Sequence, residues 1–333
     1  GFPEAANGRF QPMSPLISVI MPFYQAEKHI EAAISSIVAQ TFDRWELILV
    51  DNNATDRSGA IARELAERDR RIRLTYEPGQ GIARALNRGL RHARADLIAR
   101  MDADDYSDPR RLDTQFRCMQ ENPSIDVVSA RTAISSDIED HRGFLHFMEW
   151  QNGIITPEDH ALNRFIESPV AHPTVLFRRY LVELYGPYDT GNVPEDYELW
   201  LRWMERGARF YKMPEVLLTW RDHGERLSRT HPNYSKEAFF NVKCRYLARW
   251  IDRNIDRERK IIVCGAGKIC RRRASLLEEQ GISIYGYTDI RERRNREIVF
   301  IPHGELTAEQ GHFIINFISK RGVRDRIRRY LLA

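Results

Sequence analysis

Long apolar runs are missing from this 333-residue chain. Nothing in it approaches the ~20 consecutive apolar residues that a membrane-crossing helix needs. The amino end lacks a basic-then-apolar leader. Cysteine is scarce: Cys118, Cys244, Cys264 and Cys270 lie scattered, without a C-x-x-C pair. That spacing excludes a disulfide framework and a zinc site, and makes a reducing cytoplasm the expected home. Internal repeats and low-complexity tracts are also missing. What is present, 42% hydrophobic and 29% charged residues, supports a sizeable core and argues against disorder. At about 150 residues per domain, two domains are expected.

Net charge is small, +4, but unevenly placed. Residues 252–333 hold 18 Lys/Arg against 11 Asp/Glu, whereas the remainder holds 33 against 36. A basic tail of this kind suits a solvated surface equally with contact to anionic lipid or a nucleotide. No nucleic-acid partner is expected. Residues 1–12 lack periodicity, precede Met13, and are read as an extraneous or disordered leader.

The first half alternates short apolar runs with amphipathic stretches. Leu16–Met21 reads as a strand ending at Pro22, and Glu27–Gln40 as a helix with Ile30, Ala33, Ile34, Ile37 and Val38 on its apolar face. Trp45–Val50, Arg71–Tyr76 and Asp96–Met101 read as further strands, Ser58–Arg70 and Ile82–Ala93 as helices. Such alternation predicts a mainly parallel sheet covered by helices, with ligands beyond the strands' carboxyl ends. Asp51 and the Asp102–Asp105 cluster both fall there. Asp108-Pro109 predicts a helix start, with Asp as cap.

After about residue 130 the alternation weakens. Ser168–Phe177 reads as a loop entering a short strand, Glu195–Arg206 as a helix, Val216–Trp220 as a strand and Tyr234–Arg253 as a long helix. The pattern restarts with the strand Lys260–Cys264, then Gly265-Ala-Gly267, a helix to Gln280 and Ile282–Tyr287, a small βαβ unit. Gly265-Ala-Gly267 is a partial dinucleotide fingerprint whose third glycine is replaced by Cys270, with Asp289 where a ribose-binding acid is expected. A tight turn onto a helix explains the same glycines.

In an extended segment residues i and i+2 point the same way, so Asp102-Ala-Asp104 aims two carboxylates at one spot. Mg²⁺ or Mn²⁺ takes one or two carboxylates plus substrate phosphates, so this pair suits a metal bridging a diphosphate. An acidic turn has the same composition. His223, in Arg221-Asp-His, suits a cation-and-phosphate cluster; His172, before Pro173, either shapes an acceptor side or packs. Trp150, Trp200 and Trp203 could stack on sugars, but Trp200 and Trp203 sit at core spacing.

The run SVIMPFYQAEKHIEAAISSIVAQTFDRWELILVDNNATD resembles the amino-terminal signature of the family 2 glycosyltransferases. GIARALNRGLRHARADLIARMDADD resembles the family's next block, with Gly81, Asn87 and Gly89. VPEDYELWLRW resembles its E-D catalytic block, and HPTVLFRR and WRDHGERLS two later ones. The resemblance spans roughly residues 16–245. It implies the A-type α/β fold, a mainly parallel nucleotide-sugar-binding sheet flanked by helices, with a small Rossmann-like appendage behind it.

The resemblance further implies that Pro22, Phe23 and Tyr24 line the base pocket, and that Asp51, Asn52, Asn87 and Asp102 hold the nucleotide-sugar. Asp104 and His223 would ligate Mn²⁺ or Mg²⁺, and Asp196 would be the general base, with Glu195 and His172 on the acceptor side. Asn52 departs from the usual second acid, which leaves the base open, with uridine the default.

The expected organisation is a catalytic domain over 13–253, its donor half ending near 130, and a small domain of unknown role over 254–333. The expected activity is inverting transfer of a sugar from a nucleoside diphosphate to a saccharide or lipid-linked saccharide hydroxyl, in cell-surface polysaccharide or glycolipid synthesis. Peripheral membrane contact at the inner face is compatible with the basic tail. An NAD(P)-linked oxidoreductase and a non-catalytic sugar-nucleotide binder are the alternatives. The first is disfavoured by the broken fingerprint, the second by the presence of a base.

Overall fold

The computed structural model describes residues 14–136, 142–224, 231–289 and 298–318, together with 326, 327 and 329. The leader expected at 1–12 lies outside the described residues. Two compact units emerge: residues 1–191 with 195–230, and residues 192–194 with 231–333.

In the first unit an eight-stranded sheet has the order β3-β2-β1-β4-β7-β6-β8-β5. Its parallel half comprises β1 (Ile17–Phe23), β2 (Trp45–Asp51), β3 (Ile72–Tyr76) and β4 (Leu97–Arg100). Helices α1 (Ile30–Val38), α2 (Ser58–Arg68) and α3 (Ile82–His92) connect them. β1 is buried along its whole length, and its alternation divides the core. Ile17, Val19, Met21 and Phe23 join Ile30, Ala33, Ile34 and Ile37 of α1, whereas Ile20 joins Leu86 and Leu90 of α3. Burial on both faces is why the strand reads as a continuous apolar run. Val38 stays 39% exposed, off the face where it was expected.

β1 also runs through Pro22 instead of stopping before it. Ile20 C=O accepts from Met101 N–H and Phe23 C=O from Asn52 N–H, so even-numbered residues turn their amides towards β4 and odd-numbered ones towards β2. The β1–β4 register ends at Ile20 opposite Arg100. The N–H that Pro22 lacks therefore has no strand beside it to miss it. α3 lies close on this strand: a Cβ on Gly89 would stand 2.4 Å from Ile20 Cγ2.

The other half of the sheet mixes directions. β7 (Leu176–Arg178) is antiparallel to β4 and to β6 (Val127–Ser136), β6 is parallel to β8 (Phe210–Asp222), and the short β5 (Tyr106–Ser107) pairs antiparallel with β8. Helices α4 (Arg111–Glu121), α5 (Arg142–Asn152), α6 (Pro157–Asn163), α7 (Tyr180–Tyr185) and α8 (Glu195–Glu205) complete the unit. α4 begins after Arg110. Asp108 Oδ1 accepts from the Arg110 N–H (2.9 Å), capping the turn before the helix, not the helix itself. Trp200 and Trp203 of α8 are fully buried, packing as their spacing suggested.

The second unit holds α9 (Lys236–Asn254), then β9 (Ile261–Cys264), α10 (Lys268–Glu278), β10 (Gly286–Thr288) and β11 (Phe313–Asn316), in a parallel sheet ordered β10-β9-β11. The domain boundary expected at 253/254 moves to 230/231. α9 belongs here because its aromatic residues meet the second sheet's, Trp250 against Phe313 and Phe240 against Phe317. All four cysteines are free. Among the described residues no helix is long and apolar enough to cross a membrane.

A candidate nucleotide-sugar site at the strand ends

The parallel order β2-β1-β4 brings three carboxyl ends to one edge, carrying Asp51, Tyr24 and the segment after Arg100. There Asp102, Asp104 and Asp105 each present a carboxylate oxygen within 4.8 Å of the others. His223, just past the end of β8, places Nε2 2.9 Å from Asp104 Oδ2, joining residues 119 positions apart. Asp105, almost wholly buried, accepts the Arg221 N–H at 3.0 Å. The Arg221 guanidinium donates to His29 Nδ1 (2.7 Å), and the His29 ring lies 5.2 Å from that of His223. Burial, then Arg221 and His223, hold His29 below its usual pKa, so it stays an acceptor. Hard oxygen donors converging beside an imidazole fit a divalent cation, with Asp104 and His223 as the expected ligands brought together.

Arg100, at the end of β4, forms a buried ion pair with Asp102. Burial is the largest influence and works against its charge, but Asp102, Tyr188 and Glu195 together outweigh it, and the guanidinium is held more strongly protonated than usual. The same charge reaches Asp196, in the first turn of α8. Burial pushes the Asp196 carboxyl up to about 6, against the opposing pull of the Tyr197 N–H (2.7 Å) and of Arg100. A carboxylate raised towards neutrality beside a cation site is what a general base needs.

Several residues expected to touch ligand are committed elsewhere. Phe23 belongs to the core and Pro22 is buried; of the three base-pocket candidates only Tyr24 is exposed, at 52%. Asp51 is half-buried and accepts the Ala54 N–H (2.9 Å). Asn52 is buried and clamps the following loop, donating to Glu77 C=O and Gly79 C=O and accepting from Gly81 N–H. Both its donors are used, so base recognition by its amide N–H groups is not available. Asn87, expected to help hold the nucleotide-sugar, makes paired bonds to the backbone of Tyr188 at 2.9 and 3.0 Å. His172 and Glu195, expected on the acceptor side, are 7% and 4% exposed.

Sequence reasoning missed Arg100, Tyr188 and His29. Arg100 was within reach, since it ends β4 two residues before Asp102 and i, i+2 alternation pairs those two. Ala103 and Asp104 instead lie in a turn, and that turn, not strand alternation, brings Asp104 to Asp102.

The profile of Glycosyl transferase family 2 matches residues 18–186. The chain belongs to that family. Among relatives of this glycosyltransferase, the putative glycosyltransferase EpsE of Bacillus subtilis is 30% identical over 226 residues, 66% of this chain and 78% of EpsE. The O-antigen biosynthesis glycosyltransferase WbnJ of Escherichia coli is 30% identical over 236 residues, covering 68% and 88%. Among solved structures, S. aureus TarS 1–349 in complex with UDP-GlcNAc superimposes with a TM-score of 0.58 at 20% identity, over 79% of this chain and 70% of that one. The mannosyltransferase PcManGT of Pyrobaculum calidifontis, in complex with GDP-Man and Mn²⁺, gives 0.51 at 20% identity, over 81% and 70%. Both confirm the family's α/β architecture.

In the second unit, Asp289 Oδ2 accepts the N–H of Ala266, inside the Gly265–Gly267 turn (3.1 Å). A Cβ on Gly265 would stand 2.5 Å from Cys270 Sγ, and its φ is +108°. Close packing and a positive φ thus account for this glycine without a ligand.

Proposed function

We propose that this glycosyltransferase is an inverting, divalent-metal-dependent enzyme that transfers a sugar from a nucleoside diphosphate, with UDP first choice, to a saccharide or lipid-linked saccharide hydroxyl. Synthesis of cell-surface polysaccharide or glycolipid is the assigned setting, in keeping with the O-antigen role in the name of WbnJ. The observation that carries the reading is the acidic cluster of Asp102, Asp104 and Asp105, with Asp196 under the electrostatic influence of Asp102 and Arg100.

Asp104 and His223 would hold the cation, and Asp102 would orient the ribose or a water beside it. The cation supplies neutralisation of the charge that develops on the departing diphosphate. Asp196 takes the proton of the acceptor hydroxyl as its oxygen bonds to the anomeric carbon. The bond from that carbon to the phosphate oxygen breaks, and its electron pair leaves with the nucleoside diphosphate. One displacement with one base inverts the anomeric configuration, and positioned general-base help contributes typically ~10²–10⁴-fold. Tyr24 and Asp51 contact the nucleoside. Peripheral contact with an anionic membrane face brings the enzyme to a lipid-linked acceptor.

Thermal-shift measurements with UDP, GDP, dTDP and NAD⁺, each with and without Mn²⁺, test this. Ligands that bind only the native state raise Tm by mass action. The expected result is a Mn²⁺-dependent shift with one nucleoside diphosphate, lost in Asp104→Ala. A shift with NAD⁺ alone would overturn the reading.

A further inference from the structure

A buried chain of contacts leads from α3 to the helix that bears Asp196. Both Asn87 bonds fix the backbone of Tyr188. The Tyr188 hydroxyl lies 2.9 Å from His172 Nε2, and the rings are 5.4 Å apart. On its other side, His172 Nδ1 stands 3.9 Å from Glu195 Oε1, the first residue of α8. The same imidazole meets Trp200, five residues along α8, edge-on at 5.6 Å. His172, Tyr188 and Glu195 are all less than a tenth exposed.

Burial and the nearby Arg100 keep His172 neutral, and burial holds the Tyr188 phenol protonated. A neutral imidazole carries one proton, and the Glu195 carboxylate beside Nδ1 favours it there. Nε2 is then the acceptor for the tyrosine O–H. The tyrosine O–H then has one acceptor on the ring, and that ring lies against α8 near its first residue and again at Trp200.

We propose that Tyr188 is a positioning residue: through His172 it sets the first turn of α8, and so the direction in which Asp196 meets the acceptor hydroxyl. This rests on Asp196 being the base. Tyr188 is 4% exposed and its hydroxyl bonds to His172, so removing that hydroxyl should lower turnover and leave donor binding alone.

Tyr188→Phe keeps the ring and deletes the O–H. Turnover is read as nucleoside diphosphate released from UDP-GlcNAc and from GDP-mannose in Mn²⁺, with water as the acceptor that takes the sugar and near-UV circular dichroism as the check on folding. The expected result is a kcat lower by about tenfold or more with donor KM within about twofold, since small misplacements of a reacting group cost up to ~10²-fold. The double variant with His172→Ala should lose no more than the worse single, because both break one chain. An unchanged kcat, or losses that multiply, would overturn the relay.

A second measurement needs no turnover. ¹⁵N–¹H spectra of histidine-labelled wild-type protein should show the His172 proton on Nδ1 and no titration between about pH 5 and 8. A proton on Nε2 would sink the proposal. Asp196→Asn, run alongside, separates the two ideas. An active Asp196→Asn removes the base assignment, whereas an inactive one beside a fully active Tyr188→Phe removes only the relay.

Discussion

Asp196, the base in the proposed mechanism, meets two opposing demands: burial favours its proton, and the proposed role requires the proton gone. With a pKa near 6, activity should fall about tenfold per unit below pH 6, which a pH profile of kcat/KM reads directly. The same shift has a cost in stability. Its carboxyl rises from 3.8 to about 6 on folding, so between those values the folded chain holds a proton that the unfolded chain has released. Stability from this group is therefore full below about pH 4 and lost as pH rises through 6. Asp196→Asn, freed of that charge, should be more stable than wild type at pH 7.5 in EDTA, by on the order of 3 kcal/mol. Denaturant titration decides it, and equal midpoints would mean that the carboxylate is not desolvated. Asn52 and Asn87 show where the residue scale defeats reading from sequence. An amide after a strand, like Asn52, or inside a helix, like Asn87, reads alike whether it meets a ligand or a carbonyl, and only the folded chain shows that Gly79 and Tyr188 already engage these two.

Among the elements, β1 to β4 and their helices were legible to within about three residues. Strands buried on both faces are unbroken apolar runs bounded by Pro, Asp and Gly, and little else competes for that pattern. β6 was not legible: its register with β8 shifts around Arg131, and polar Ser, Arg and Thr interrupt its run. β8, expected over five residues, extends over thirteen, because Lys212 is held inside by carbonyls of Gln151 and Pro169 that no local window contains. The clustering of Asp102 with Asp104 was therefore readable, while the contact of Tyr188 with His172 was not. The closeness of α3 to β1 makes its own prediction. Gly89→Ala drives a methyl into Ile20, and overpacking of this kind costs about 1–3 kcal/mol. A lowered Tm with the Mn²⁺-dependent nucleotide shift retained is expected, whereas an unchanged Tm would mean that the helix simply slides outward.

For the molecule as a whole, charge is the property that no single element displays. The excess of Lys/Arg over Asp/Glu lies in residues 252–333, against a slightly acidic remainder, and Lys260, Lys268 and Arg272 are exposed there. Co-sedimentation with anionic vesicles is expected at 50 mM NaCl and should be lost by 0.5 M, as the screening length contracts to a few ångströms. Binding indifferent to salt or to lipid charge would remove the membrane contact from the proposal.

The site's wiring also says something about time. Asp104 bonds to a residue 119 positions away, Asp105 to one 116 away and Asn87 to one 101 away. Contacts that close such long loops form late, after local helices and neighbouring strands have collapsed. On refolding from denaturant, the far-ultraviolet signal should therefore recover before the capacity to bind Mn²⁺ and nucleotide. The acidic cluster would then serve as a clock hand, the last part of the molecule to report that the chain has arrived.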